Sequence, residues 1–407
     1  MQPHYLTKIF KVSSKYLEKC FTPDELVDFK DICYKTIPNT DRHRVVQSFN
    51  HLYYETIRAR FQSQHPYNVE LDKFLAEPES NLKILWGDCL RYLRNMKSES
   101  VQLMITSPPY YNARDYSQWD SLDGFLEDMD FIIQECYRVL DNHRVFVFNV
   151  GDIFDNDRKY TRSNWGKRRI PLGAYFTVMF EKAGFTFVDD FIWDKGEVQS
   201  QRHKNGDSPY PLYQYPINCY EHIFVFQKHR LDNTMYPCPI CGCLKVNGNA
   251  YSGVGIKSWE CKNFECMERS AGNRGKRFSA RTKIMNELKS SENLVNNELL
   301  KQWRRDIVSF PPVIKINSSG KNVLGHDAPF PRQIPYYSTK VFSGVGEVVL
   351  DPFAGSFTTP IEATELKRVG IGIELHRNPN RDILINKLGV TSDIFHTEFS
   401  ELEKVHE

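Results

Sequence analysis

The stretch that most restricts the fold runs from residue 348 to residue 374. Val348, Val349 and Leu350 make a short apolar run, and Asp351-Pro352-Phe353-Ala354-Gly355-Ser356 is a turn rich in small residues. Residues 359–367 then carry a helical pattern, and Val369-Gly370-Ile371-Gly372-Ile373 is a second apolar run that ends on Glu374. Strand, small-residue turn, helix, and strand with a terminal acid is the layout of a nucleoside-cofactor site in a doubly wound sheet. Ala354, Gly355 and Ser356 let the backbone approach a ligand, and the following helix N-terminus presents N–H groups to a carboxylate. Glu374 is placed to accept from both hydroxyls of a ribose.

A second stretch completes the frame. Val101-Gln102-Leu103-Met104-Ile105 is an apolar run that stops at Thr106-Ser107-Pro108-Pro109-Tyr110. Pro108 and Pro109 lack N–H groups and have fixed φ, so the strand ends in a stiff loop. That loop offers outward carbonyls, the Ser107 hydroxyl and the flat face of Tyr110. Acceptors in a plane beneath an aromatic ring suit a planar, amino-bearing substrate. Taken by itself, the pentapeptide reads equally as a Pro-rich turn closing a core strand.

The rest of the chain supplies the sheet. Residues 82–86, 145–150, 185–193 and 221–226 read as strands; the last two are expected to form a hairpin edge. The 145–150 run is apolar throughout, as central parallel strands buried on both faces are. Residues 125–140, 172–183 and 334–342 read as helices, and Asp88 stands where it would cap a helix over residues 89–96. The expected fold is α/β: a doubly wound, Rossmann-like sheet. Residues 1–76 read as a helical extension, in which Arg42, Arg44, Arg58 and Arg60 are a solvated face or phosphate contacts.

Composition narrows the setting. The 407 residues are 41% hydrophobic and 26% charged, ordinary for a globular protein, and no apolar run approaches a membrane span. No signal-peptide core follows Met1, so the ten cysteines are expected in a reducing cytoplasm, where clustered thiols favour metal over disulfide. A formal net charge of +2 announces no nucleic acid globally, so any DNA affinity must come from local clusters.

With both motifs in view, the sequence resembles the amino-methyltransferases of DNA, which methylate the exocyclic N4 of cytosine or N6 of adenine with S-adenosylmethionine. Ser107-Pro108-Pro109-Tyr110 matches that family's catalytic motif and Asp351 to Ser356 its cofactor motif. The catalytic motif comes first, which is similar to the permuted (beta) arrangement. Ala328-Pro329-Phe330-Pro331 resembles the segment over the methionine end of the cofactor, and Trp193-Asp194-Lys195 and Tyr220-Glu221 echo further signatures. The resemblance implies S-adenosylmethionine held by Asp88, Thr106, Phe330, Pro331, Asp351, Phe353, Gly355, Ser356 and Glu374, with Asp88 beside the adenine. It also implies duplex DNA as partner, base flipping, and a restriction–modification setting with a companion endonuclease. Ser before Pro-Pro resembles the N4-cytosine branch, with N6-adenine as the alternative. One departure stands out: Phe357 occupies a position where the family usually has Gly. Its ring either points into the helix–sheet interface or narrows the pocket, and the latter would favour an inactive DNA-binding relative.

A separate module begins at Cys238-Pro239-Ile240-Cys241-Gly242-Cys243 and is answered by Cys261 and Cys266, five residues apart. A Cys-x2-Cys knuckle with Gly next, paired with a distant second pair, reads as a zinc ribbon with Cys238, Cys241, Cys261 and Cys266 as ligands. Cys243 competes for a place. Four thiolates leave no open coordination position, so the metal would be structural. Arg269, Arg274, Lys276, Arg277, Arg281 and Lys283 follow in a Gly/Ser-containing segment and read as a phosphate-contacting surface or a solvated face. Four units are expected: the extension to residue 76, the catalytic half over 77–228, a zinc-ribbon target-recognition insertion over 229–310, and the cofactor half over 311–407.

Overall fold

The computed structural model describes residues 67–112, 119–154, 169–196, 218–229, 235–251, 256–266, 275, 277–313 and 331–395. At its centre lies a nine-stranded sheet. Its strands are β1 (Leu82–Trp86), β2 (Val101–Thr106), β3 (Leu140–Val150), β6 (Phe185–Asp194), β7 (Tyr220–Lys228), β11 (Ile307–Ser309), β12 (Val348–Asp351), β13 (Val369–Glu374) and β14 (Val390–Ser392). They lie in the order β11-β6-β7-β3-β2-β12-β13-β1-β14. The short β4 (Ile153–Phe154) and β5 (Arg169–Ile170) pair beside it. Within the nine-stranded sheet only β7 runs against its neighbours, and every other pairing is parallel.

Alternation along the strands explains the two layers of core. On β3, Phe146 and Phe148 face one side, with Phe125, Phe176 and Phe180. Val145 and Val147 face the other, with Leu103, Ile105, Val349, Trp303 and Tyr337. Both faces therefore need helices. The first is covered by α1 (Val69–Ala76), α2 (Cys89–Asn95), α3 (Leu122–Val139) and α4 (Leu172–Ala183). Ser121 caps α3 by accepting from Gly124 N at 3.1 Å, and Gly184, at φ 103°, closes α4 in the left-handed conformation open to glycine.

The cysteine module is a three-stranded antiparallel sheet of β8 (Val246–Tyr251), β9 (Lys257–Cys261) and β10 (Arg277–Ser279). It is followed by α5 (Ala280–Glu287), capped by a reciprocal Ser279–Thr282 box, and α6 (Asn297–Gln302). Trp303 and β11, expected within the insertion, sit in the main domain. The Trp303 ring stacks on Tyr337 at 4.0 Å, and β11 extends the sheet beyond β6. The pair β6–β7 is antiparallel as expected, but β11 covers part of what would have been the edge. The second face is completed by α7 (Gln333–Phe342) and α8 (Thr358–Glu365), with α9 (Pro379–Leu388) preceding β14. Among the described residues, no helix is long and apolar enough to cross a membrane.

Candidate active site

The chain leaves β12 towards β13 on one side and β2 towards β3 on the other. Outside the carboxyl ends of two such strands lies the crevice where open α/β sheets bind ligands. Ser107 follows β2 and Pro352 follows β12, so the two motifs meet at this switch point. The contact between them is direct: Thr106 Oγ1 donates to Asp351 Oδ1 at 2.6 Å. Register carries the same edge further, since Asp351 pairs with Gly372 and Trp86 with Glu374.

Asp351 is spent inside the fold. It is 1% exposed, and the oxygen bonded to Thr106 also accepts from Phe353 N at 3.0 Å, which shapes the turn. Burial pushes its carboxyl up to about 6. Glu374 is partly exposed and clamps the same turn from the next strand: Gly355 N donates to Oε2 at 2.8 Å and His376 N to Oε1 at 3.3 Å. Gly355 has φ 50°, and burial raises the Glu374 carboxyl as well. Each carboxylate oxygen retains a lone pair for a ligand. Asp88 caps α2 by accepting from Arg91 N at 2.8 Å and remains partly exposed at the same edge, its carboxyl raised by burial.

Phe357 takes the first of the two orientations the sequence left open. Its backbone lies at φ 61°, ψ 26°, the left-handed region that favours glycine. The ring is 0% exposed, meets Trp86 edge-on at 5.4 Å, and packs with Leu82, Ile84, Ala354 and Ile385. It fills the helix–sheet interface instead of the crevice. Ser356 is also buried, with Oγ 3.1 Å from Thr358 Oγ1 and its carbonyl accepting from Arg381 Nε at 3.0 Å.

The loop after β2 is stiffened by two consecutive prolines. Pro108 is buried; Ser107, Pro109 and Tyr110 are partly exposed. Gly151 N, just past β3, donates to the Tyr110 hydroxyl at 2.8 Å. The Ser107 and Glu221 side chains lie close enough to act on that hydroxyl, and burial pushes the phenol well above its ordinary range. The sequence model of the N6/N4 DNA methylase family matches residues 101–383, which includes both loops.

The chain belongs to the N6/N4 DNA methylase family. Two relatives carry the likeness beyond the motifs. The Type II beta methyltransferase M.BslI of Bacillus sp. (strain NEB-606) is 35% identical over 369 residues, covering 90% of this chain and 33% of its own. The chain thus spans about a third of the length of that relative. The Type II methyltransferase M.SmaI of Serratia marcescens is 22% identical over 342 residues, covering 77% of this chain and 94% of its own. Among solved structures, PvuII DNA methyltransferase (cytosine-N4-specific) aligns with 78% of this chain and 96% of its own, at 15% identity and a TM-score of 0.45.

Most of the expected site residues of this family member fall on one edge of the sheet: Asp88, Thr106, Ser107, Pro108, Pro109, Tyr110, Asp351, Phe353, Gly355, Ser356 and Glu374. Pro331 is buried at the start of α7, its carbonyl accepting from Ile334 N at 3.2 Å. Phe330, Arg269, Arg274 and Lys276 lie outside the described residues, as do Arg42, Arg44, Arg58 and Arg60.

The four cysteines chosen from the sequence converge. The Cys238, Cys241, Cys261 and Cys266 sulfurs all lie within 4.8 Å of one another, with Cys238 to Cys266 at 4.0 Å and Cys241 to Cys261 at 3.8 Å. Four sulfurs about 2.3 Å from a tetrahedral ion would stand about 3.8 Å apart, so the donor set fits zinc. Gly242, at φ 66°, makes the knuckle turn, and the Cys243 N–H pulls the Cys241 thiol down to about 7. Cys243 is outside the cluster; its sulfur accepts from Lys245 N at 3.2 Å. Trp259 and Phe278 pack against Cys238, Cys261 and Cys266, beneath the cluster. Arg277 and Arg281 are exposed on this module, whereas Lys283 pairs with Glu287 at 3.3 Å.

Proposed function

We propose that the chain is an S-adenosylmethionine-dependent DNA methyltransferase acting on the exocyclic N4 of a cytosine flipped out of duplex DNA, in a restriction–modification setting. The observation that carries this reading is the Thr106–Asp351 bond, which joins the Ser-Pro-Pro-Tyr loop to the small-residue loop at the switch point. The residues present support the cofactor: Glu374 is partly exposed at the end of β13 with lone pairs left for ribose hydroxyls, Asp88 stands at the same edge for the adenine, and Gly355 lets the turn approach a ligand closely. When bound, S-adenosylmethionine supplies an electrophilic methyl group.

The protein's part is to hold the amine. A base inside a duplex hides that group in pairing, so it must be extruded before it can react. Tyr110 provides a face for stacking, and Ser107 Oγ and the Pro108 carbonyl accept the two amino hydrogens. The amino lone pair is delocalised into the ring, and bonding both hydrogens pulls nitrogen towards tetrahedral geometry. Positive charge grows on nitrogen as the bond forms, so fixed acceptors stabilise the transition state more than the ground state. Attack comes from nitrogen, and no cysteine intermediate is required. The ring of Phe357 is packed between helix and sheet and not in the crevice, which weighs against an inactive relative.

The cysteine cluster holds a structural zinc in this reading, and Arg277 and Arg281 on that module contact DNA phosphates. The test is incorporation of tritiated methyl into duplex DNA followed by digestion to nucleosides. N4-methylcytosine is expected; label in N6-methyladenine would move the chain to the other branch, and unlabelled DNA would refute the activity.

A further inference from the structure

Stacking on a base needs the ring of Tyr110 and not its hydroxyl. Yet groups from three neighbouring strands form a row that ends at that oxygen. Tyr110 follows β2; Gly151, which donates its N–H at 2.8 Å, follows β3. Glu221 lies at the start of β7, whose reversed direction brings its first residues to this edge, and Lys195 follows β6. Lys195 Nζ is hydrogen-bonded to Glu221 Oε1, and the two side chains are 16% and 14% exposed. The ammonium also sits 5.0 Å from the Trp193 ring centroid. Packing fixes the carboxylate: a Cβ on Gly151 would lie 2.8 Å from Glu221 Cγ.

Donor and acceptor roles along this row follow from chemistry. An ammonium only donates and an ionised carboxylate only accepts. Glu221, fed by Lys195, therefore takes the single proton of the Tyr110 phenol. The phenol oxygen is left to accept, from Gly151 N–H and from the Ser107 O–H. Ser107 then has its hydrogen turned inward and its lone pairs turned towards the crevice. A serine without that row could instead rotate and offer its hydrogen to the amine nitrogen, the wrong polarity for an incoming electrophile.

We propose that Glu221, held by Lys195, is a positioning residue that orients the Tyr110 and Ser107 hydroxyls so that Ser107 meets the target amine as an acceptor. This rests on the methyltransferase reading above. The perturbations are Glu221→Gln, whose amide can donate to the phenol and reverse the row, Tyr110→Phe, which keeps the ring and cuts the row, and the two combined. Each single change is expected to lower kcat about tenfold or more, with KM for DNA and cofactor within about threefold. The double variant is expected to be no slower than the worse single, because both break one chain. Glu221→Asp, which keeps an acceptor, is expected to recover part of the rate.

A second readout needs neither cofactor nor DNA. In protein labelled with 13C at tyrosine Cζ, the resonance missing from Tyr110→Phe is expected to shift in Glu221→Gln and in Lys195→Met. Wild-type protein that methylates DNA but shows no such shift, or losses that multiply in the double variant, would overturn this proposal alone. Wild-type protein that labels no DNA would overturn the functional reading and this proposal with it.

Discussion

Replacing Asp351 with asparagine should make the protein more stable at alkaline pH. The side chain is 1% exposed, and burial moves its carboxyl from an ordinary 3.8 up to about 6. A raised folded-state value means that the fold prefers the neutral acid. Its stabilising contribution is complete below the unfolded value and is lost as pH rises through about 6. A move from 3.8 to about 6 corresponds to roughly 3 kcal/mol at pH 8, and to about half of that at pH 5. The asparagine would keep the oxygen that accepts from Thr106 Oγ1 and Phe353 N, and its amide could donate to Thr359, a hydroxyl free to turn. It never ionises, so Asp351→Asn should exceed wild type by up to ~3 kcal/mol at pH 8, with the gap narrowing towards zero near pH 4. Urea unfolding of cofactor-free protein at pH 5 and pH 8, with m compared between variants, measures it. A gap that does not change between the two pH values, or a variant less stable at pH 8, would refute the reasoning.

Phe357→Gly relieves a left-handed backbone worth about 1–2 kcal/mol but empties a fully buried site worth about 3–5 kcal/mol. A net loss of roughly 2–3 kcal/mol in chemical denaturation is expected; equal or greater stability would mean that the ring is not packed as described. Chelation at neutral pH should release one zinc per chain to a colorimetric indicator and change the fluorescence of Trp259, which packs beneath the cluster. Purified protein with no bound zinc and an unaltered module would contradict that. Replacing Arg277 and Arg281 with alanine should weaken DNA binding across sequences and reduce the salt slope by about 2, whereas an unchanged slope would remove this face from the interface.

The sheet was legible because its strands are apolar on both faces. The 145–150 run and the strand–turn–helix–strand pattern over 348–374 admit few other folds, and β3, β12 and β13 lie where those patterns put them. The four cysteines were equally readable, since knuckle spacing is a local constraint that the fold has only to bring together. What escaped was set by tertiary pairing. β11 is three residues long with one buried side chain, and only its register on β6 makes it a strand. Asp351 looks like a ligand group in the sequence, but its oxygen is occupied by Thr106, 245 positions away along the chain. Glu221 and Lys195 carried only a faint signature, because their partner at Tyr110 is reached through a reversed strand. Phe357 could not be placed before Trp86 and Ile385 were seen around it.

The central claim is that Ser107 acts on the amine and leaves the cofactor alone. Single-turnover methyl transfer by Ser107→Ala, with cofactor affinity measured by calorimetry on the same preparation, addresses it directly. The account predicts a rate lower by about 100-fold or more, the range for losing one aimed partner at a developing charge, with cofactor affinity unchanged. A variant that transfers methyl at the wild-type rate would contradict it.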